Sequence, residues 1–203
     1  ARQGANHQCV ACHAVGFEKG VDAVSGALAS TMVEAGVGCE SCHGPGSAHV
    51  AWAKQPEADR GAAPAWSLLD GARIAPLVRP EGSPIALPAS PAGHAAALRI
   101  GQVCGDCHSR RNVLHSSEVG ALPEFQLARI ADGLYFADGR MRDEVFNLGS
   151  FQQSRMHEAG VACTHCHEPH GGGLRAPGNA VCADCHAPAV FEAVTHMGHA
   201  PDT

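Results

Sequence analysis

The chain has 203 residues, a formal net charge of -6, ten cysteines and fourteen histidines, but only six Phe, two Trp and one Tyr. The acidic balance gives no reason to expect nucleic acid or an anionic membrane surface as partner. No apolar run approaches the roughly 18 residues of a transmembrane helix, and the start at Ala1 lacks the basic and apolar regions of a signal peptide. The apolar fraction of 45% rests mostly on Ala and Val, with 24 glycines beside them, so a core made of side chains alone would be thin.

Taken in chain order, the landmark is Cys-x-x-Cys-His, which occurs five times and uses every cysteine. The first copy is Cys9, Cys12 and His13, shortly after His7. The second is Cys39, Cys42 and His43, followed by a Gly-Pro-Gly turn and a predicted helix over Ser47–Lys54 that carries His49. From Gln55 to Gly93 the chain holds seven of its thirteen prolines, which predicts an extended wrapping loop and no helix. A helix is expected over His94–His108, running into the third copy at Cys104, Cys107 and His108, with His115 just beyond. Another is expected over Ser150–Ala159, stopped by Gly160 and carrying Met156 and His157. The fourth copy is Cys163, Cys166 and His167, with His165 inside it and His170 behind Pro169. Turns at Gly171–Gly173 and Pro177–Gly178 lead to the fifth copy at Cys182, Cys185 and His186, and then to His196 and His199. Short helices should carry the motifs themselves, and alternating strand patterns are nearly absent.

The spacing has a chemical reason. Two thiols three residues apart on one helical turn can each add to a haem vinyl group, and the next residue, a histidine, then reaches the iron. Structural zinc and disulfide frameworks also use paired cysteines, but neither requires histidine directly after the second. The reading is therefore five haem c groups, each held by one cysteine pair, with His13, His43, His108, His167 and His186 as proximal ligands. About 40 residues per haem places every haem near another. The expected fold class is mainly α with much irregular coil and little or no β-sheet, a multihaem cytochrome organised around a packed haem array. The expected organisation is a single pentahaem unit over 1–203. It comprises a two-haem part (1–54), the Pro-rich loop (55–93) and a three-haem part (94–203).

Nine histidines remain, and their number favours bis-histidine ligation. The distal candidates are His49, aimed by its rigid turn; His170, placed by Pro169; His157, at a helix end; His196 and His199, on one face if helical; and His7, His94 and His115. His165 is not expected to ligate, because it lies within a motif loop. Met156 and Met197, each beside a histidine, leave His/Met ligation open for a minority of haems.

Four stretches carry a family likeness: GVGCESCHGPGSAH (Gly36–His49), CGDCHSRR (Cys104–Arg111), DGRMRDEVFNLGSFQQSRMHEAGVACTHCHEPH (Asp138–His170) and GNAVCADCH (Gly178–His186). Together they resemble bacterial multihaem cytochromes often associated with tetratricopeptide repeats. These are distant relatives of the tetrahaem cytochromes of ammonia oxidisers and of octahaem nitrite and hydroxylamine enzymes. The resemblance implies that His49 and His170 are distal ligands, and it matches His196-x-x-His199. Family members usually carry further motifs before Cys9 and after His199, so the chain reads as a shortened relative or a portion of a longer one.

Three functions follow as expectations. The first is electron transfer between other redox proteins or cytochromes, outside the cytoplasm (periplasmic or extracellular), where covalent haem attachment takes place. The second is a reductase or oxidase of a small nitrogen or sulfur compound at one five-coordinate haem. It lacks the Cys-x-x-Cys-Lys variant, has only Lys19 and Lys54 as lysines, and has only Tyr135 to compare with a modified tyrosine. Asp106, Arg110, Arg111 and Arg140 are expected to solvate the surface or pair with propionates. The third is a subunit of a larger redox complex or of a polymeric cytochrome, a homo-oligomer or filament in which neighbouring chains complete a haem wire.

Overall fold

The computed structural model describes residues 10–18, 20–27, 29–64, 68–69, 72–115, 124–127 and 133–198. It divides into two compact units, one of Ala1–Asp70 with Val103–Phe146 and one of Gly71–Gln102 with Asn147–Thr203. The first unit carries motifs one to three, and the second carries motifs four and five.

Strands β1 (Ala14–Val15) and β2 (Glu34–Ala35) pair antiparallel directly after the first motif. Their ladder continues outward through Glu18 and Thr31 to a tip at Asp22. There the Asp22 carboxylate accepts from the Ser25 hydroxyl and from the backbone N–H groups of Ser25 and Val24. Helix α1 (Glu40–His43) holds the second motif, and α2 (Ser47–Ala53) follows with Lys54 at its C-cap. This matches the helix expected over Ser47–Lys54.

The Pro-rich segment contains a 3₁₀ turn (Glu57–Asp59) and a short antiparallel hairpin, β3 (Leu77–Val78) with β4 (Leu87–Pro88). It contains no α-helix among its described residues until Pro91, because proline removes the donors that a helix or central strand requires. Helix α3 (Pro91–Gly105) starts three residues before the expected His94. Ser90 caps it by accepting the Gly93 N–H, and Pro91 stands at the first helical position, where its missing donor costs nothing. Besides Gly105 at its end, its buried positions are Gly93, Ala96, Ala97, Ile100 and Val103, a helical stripe of small and branched residues. Strands β5 (Arg111–His115) and β6 (Glu124–Leu127) form a further antiparallel pair, with an irregularity between Val113 and His115.

The single helix expected over Ser150–Ala159 is instead two, α4 (Asn147–Gln152) and α5 (Arg155–Glu158). Ser154 lies between them in an extended conformation. Its hydroxyl donates to Phe151 O at 2.6 Å and accepts the His157 N–H at 3.2 Å. A serine gains more as an N-cap than as an interior helix residue, so the chain breaks there. Gly160, at φ 84°, ends α5 as expected. The fourth motif forms α6 (Cys163–Cys166), and β7 (His167–Glu168) turns back on β8 (Gly173–Leu174). Helices α7 (Ala180–Ala183), α8 (Pro188–Phe191) and α9 (Val194–Met197) complete the chain. The architecture is thus short helices, two-stranded pairings and much coil, and no described helix is long and apolar enough to cross a membrane.

The core is thin, as the composition requires. Its buried apolar members are mostly Ala and Val, and no large side chain is fully buried among the described residues. Val24, Val33, Val37 and Phe136 are among the exposed apolar side chains. A core of small side chains removes less apolar surface from water than one of Leu and Phe, and so offsets less of the entropy of ordering the chain. The chain made with all its thiols unmodified is therefore expected to bind a hydrophobic dye and to melt without a cooperative transition. A sharp sigmoidal melt by circular dichroism would show that side chains alone supply the core.

Candidate haem-attachment sites

Four of the five motifs have the same local construction. The backbone N–H of the motif histidine donates to the carbonyl of the first cysteine: His43 to Cys39 at 2.9 Å, His108 to Cys104 at 2.9 Å, His186 to Cys182 at 2.8 Å, and His167 to Cys163. That bond closes one helical turn, which brings both thiols to one side and sends the histidine off the end of the turn. In the first motif Cys9 lies outside the described residues, as do the candidate ligands His7 and His199. The turn there is represented by His13 N donating to Val10 O at 3.0 Å.

These residues fit covalently bound haem. Cys12, Cys39, Cys42, Cys166, Cys182 and Cys185 carry thiols outside any disulfide. Burial pushes the Cys42, Cys166 and Cys185 thiols above the usual value, aided at Cys166 by the nearby Cys182, Cys163 and Asp184. Protonated thiols resist exchange into disulfides. The ring nitrogen of His186 assigned as Nδ1 is buried without a hydrogen-bond partner among the described residues, as expected of an imidazole reserved for a metal. His13, His108 and His167 are exposed, so the polypeptide leaves these imidazoles uncovered.

The motifs also meet one another within each unit. In the first, Cys12 Sγ lies 3.9 Å from the carbonyls of Asp106 and Cys107, and Cys107 Sγ lies 3.9 Å from the carbonyl of Cys12. The second cysteines of motifs one and three are therefore packed against each other across more than ninety residues of sequence. In the second unit, the mutual influence of Cys166, Cys182, Cys185 and Asp184 marks motifs four and five as neighbours. The Pro-rich segment is fastened to both. Ala86 N donates to Cys185 O at 2.8 Å and Ala187 N to Pro84 O at 2.9 Å, while Ala75 O meets His165.

His165 has a structural task, in keeping with the expectation that it does not ligate. It is buried, its Nδ1 accepts the Ala162 N–H at 2.8 Å, and its Nε2 lies 3.0 Å from Ala75 O. The first contact makes Nε2 the protonated nitrogen, so the ring donates to Ala75. In addition, His165 N donates to Ala162 O at 3.0 Å, so the imidazole takes the part that Glu or Gln plays in a capping box. Ala75 in turn packs against Gly93, where an added Cβ would come within 2.4 Å of the Ala75 Cβ.

The distal candidates differ in setting. His49 sits half-buried on α2, its ring 5.3 Å from that of Trp52, which donates through Nε1 to Gly61 O at 2.9 Å. The Glu40 carboxylate, inside the second motif, accepts the Gly46 N–H at 2.7 Å and so pins the Gly-Pro-Gly turn that leads to His49. His94 and His157 are brought near each other, their rings tilted by 59° with centroids 6.5 Å apart, with Phe151 edge-on to His157 at 5.5 Å. Gly160 lies against His94, where a Cβ would stand 3.2 Å from Nδ1. Phe191 contacts both His186 at 4.5 Å and His196 at 5.0 Å, edge-on to each. His170 is exposed, with Nδ1 3.3 Å from Glu168 Oε1. His115 lies in β5, with its backbone opposite Glu124, and Met197 lies in α9, while Met156 is exposed on α5.

Of the other residues weighed in the sequence, Arg110 is paired with Asp143 at 2.6 Å and Arg140 with Asp138 at 2.8 Å. The Arg110 hydrogen bond, with the Glu144 N–H, holds the Asp143 carboxyl below its usual value. Tyr135 is buried opposite Met141. Sequence reasoning missed Glu40, Glu168, Trp52 and Phe191. The signal was available only for the two glutamates, each within three residues of a motif histidine.

Comparison with known proteins agrees with this construction. Residues 157–191 match a family model described as a doubled CXXCH motif. Residues 1–44 match the model described as cytochrome c554 and c-prime. Together these matches support a multihaem c-type cytochrome, with covalently bound haem and haem-based electron transfer. No curated protein and no solved structure matches the chain.

Replacing His165 with Ala strands a buried N–H and a buried carbonyl. It should cost about 2–3 kcal/mol of stability, read as a lower thermal midpoint of the haem-loaded protein. His165→Gln, which can remake the contact with Ala162, should recover part of the loss. Equal midpoints for all three proteins would remove the tethering role.

Proposed function

We propose that the chain is an electron relay outside the cytoplasm, in the periplasm or at the cell exterior, holding five c-type haems that are mostly bis-histidine ligated. The observation that carries this reading is the recurrence of one closed Cys-x-x-Cys-His turn, with a histidine beyond the cysteine pair, at motifs two to five. When bound, haem c supplies a one-electron iron couple held by two thioether bonds. The chain's own part is to hold, orient and cover. Cys9 with Cys12, Cys39 with Cys42, Cys104 with Cys107, Cys163 with Cys166, and Cys182 with Cys185 provide the attachment points. His13, His43, His108, His167 and His186 provide the proximal ligands, and His49 and His170 lead the distal set.

Two contacts support a relay in particular. The reciprocal packing of Cys12 and Cys107 favours neighbouring positions for the groups on motifs one and three, and the shared surroundings of Cys166, Cys182 and Cys185 favour the same for motifs four and five. The likeness to cytochromes associated with tetratricopeptide repeats agrees with redox proteins as donor and acceptor.

Pyridine haemochrome analysis should count five haems per chain, and low-temperature electron paramagnetic resonance of the oxidised protein should show them low-spin. His49→Ala and His170→Ala should each convert one haem to high spin. An unchanged spectrum would strike that histidine from the ligand set. A high-spin haem in the unaltered protein that binds nitrite, hydroxylamine or carbon monoxide would replace the relay by a small-molecule redox enzyme.

A further inference from the structure

We propose that Glu168 is a positioning residue for His170: it holds the imidazole as the Nδ1–H tautomer, leaves Nε2 for a haem iron, and lowers the reduction potential at that iron. The inference rests on the reading of His170 as an iron ligand and adds to it the group that orients and tunes that ligand.

Glu168 directly follows the motif histidine and ends β7, and Pro169 restrains the chain before His170. The two carboxylate oxygens divide their work. Oε2 accepts the Gly171 N–H, and Oε1 faces His170 Nδ1 at 3.3 Å. The Glu168 carbonyl also accepts the Gly172 N–H at 2.9 Å, in a turn where Gly172 takes φ 69°, a conformation that favours glycine. The carboxylate is therefore fastened to the turn and is not a free rotor. The His170 side chain is 81% exposed, so packing does little to orient the ring and the carboxylate is its evident guide.

The electronic consequence follows from general ligand chemistry. Imidazoles that bind metals usually donate their other N–H to a carboxylate or carbonyl, which fixes the tautomer and makes the ligating nitrogen more basic. A more basic ligand stabilises ferric over ferrous iron. The second motif uses a glutamate on its own turn, Glu40 on Gly46, ahead of His49. The fourth motif adds the contact to the ring itself.

The test is a spectroscopic redox titration of the haem-loaded protein, comparing Glu168→Gln, Glu168→Ala, His170→Ala and, as a control for surface charge, Glu81→Gln. Glutamine can still accept the Gly171 N–H through its one amide oxygen, so it preserves the turn while replacing the charged acceptor that faces Nδ1 with a neutral amide N–H donor. Glu168→Gln should keep every haem low-spin. It should raise one midpoint potential by about a tenfold change in the oxidation equilibrium, about 59 mV for one electron, and Glu168→Ala should raise it at least as far. Unchanged potentials in both Glu168 variants, with a high-spin haem in His170→Ala, would overturn the role of Glu168 while leaving the ligand reading intact. An unchanged spectrum in His170→Ala would overturn the ligand reading and this inference with it. An equal shift from Glu81→Gln would reduce the effect to general charge and overturn the proposal.

Discussion

The hydrogen bond from a motif histidine's N–H to the first cysteine's carbonyl is the constraint on which the rest of this protein depends. Where it closes, Cys-x-x-Cys-His becomes one helical turn that sets two sulfurs and an imidazole close together. A single turn of this kind is far too short to persist alone, since helix nucleation costs more than one hydrogen bond returns. Each turn therefore needs outside anchoring, and the structure shows a different anchor at each. Glu40 and the Leu68 N–H bracket the second motif. His165 ties the fourth to Ala75, and Ala86 and Pro84 hold the strand-like edge of the fifth. The Pro-rich segment owes its extended shape to its prolines, and that shape lets it offer backbone donors and acceptors to two motifs at once.

The thin core has the same origin. Small residues line α3 because backbones must approach closely there, as Gly93 and Ala75 do. Where a conventional domain would place Leu and Phe, this chain has Ala, Val and Gly, and it leaves several apolar side chains and motif histidines at the surface. Protein segments that cannot bury themselves need a non-protein partner to fold. A covalently attached group would supply such a partner at a defined place.

Histidine does three separable jobs in this chain. Those after the cysteine pairs end a closed turn. His165 is consumed by two backbone contacts, and His170 is presented by a carboxylate. The residue type is the same, and the distinction lies in what a ring nitrogen meets: a backbone donor at His165, an acidic oxygen at His170, and, among the described residues, no hydrogen-bond partner for the buried Nδ1 of His186.

The sequence by itself determined whatever depends on separations of a few residues: the attachment motifs, the Gly-Pro-Gly turn, the stop at Gly160, the helix after Ser47, and the scarcity of regular sheet. These are local because one helical turn spans four residues and proline acts on its own backbone. It misplaced the start of α3 and joined α4 to α5, since the preference of Ser90 and Ser154 for capping outweighs the apolar pattern around them. Only the tertiary structure decided that Cys12 meets Cys107, that His94 lies near His157, that Ala75 receives His165, and that the third motif shares a unit with the first two. Those pairings span tens of residues. They arise from hydrogen bonds and close backbone approach between distant segments, which no short-range spacing encodes.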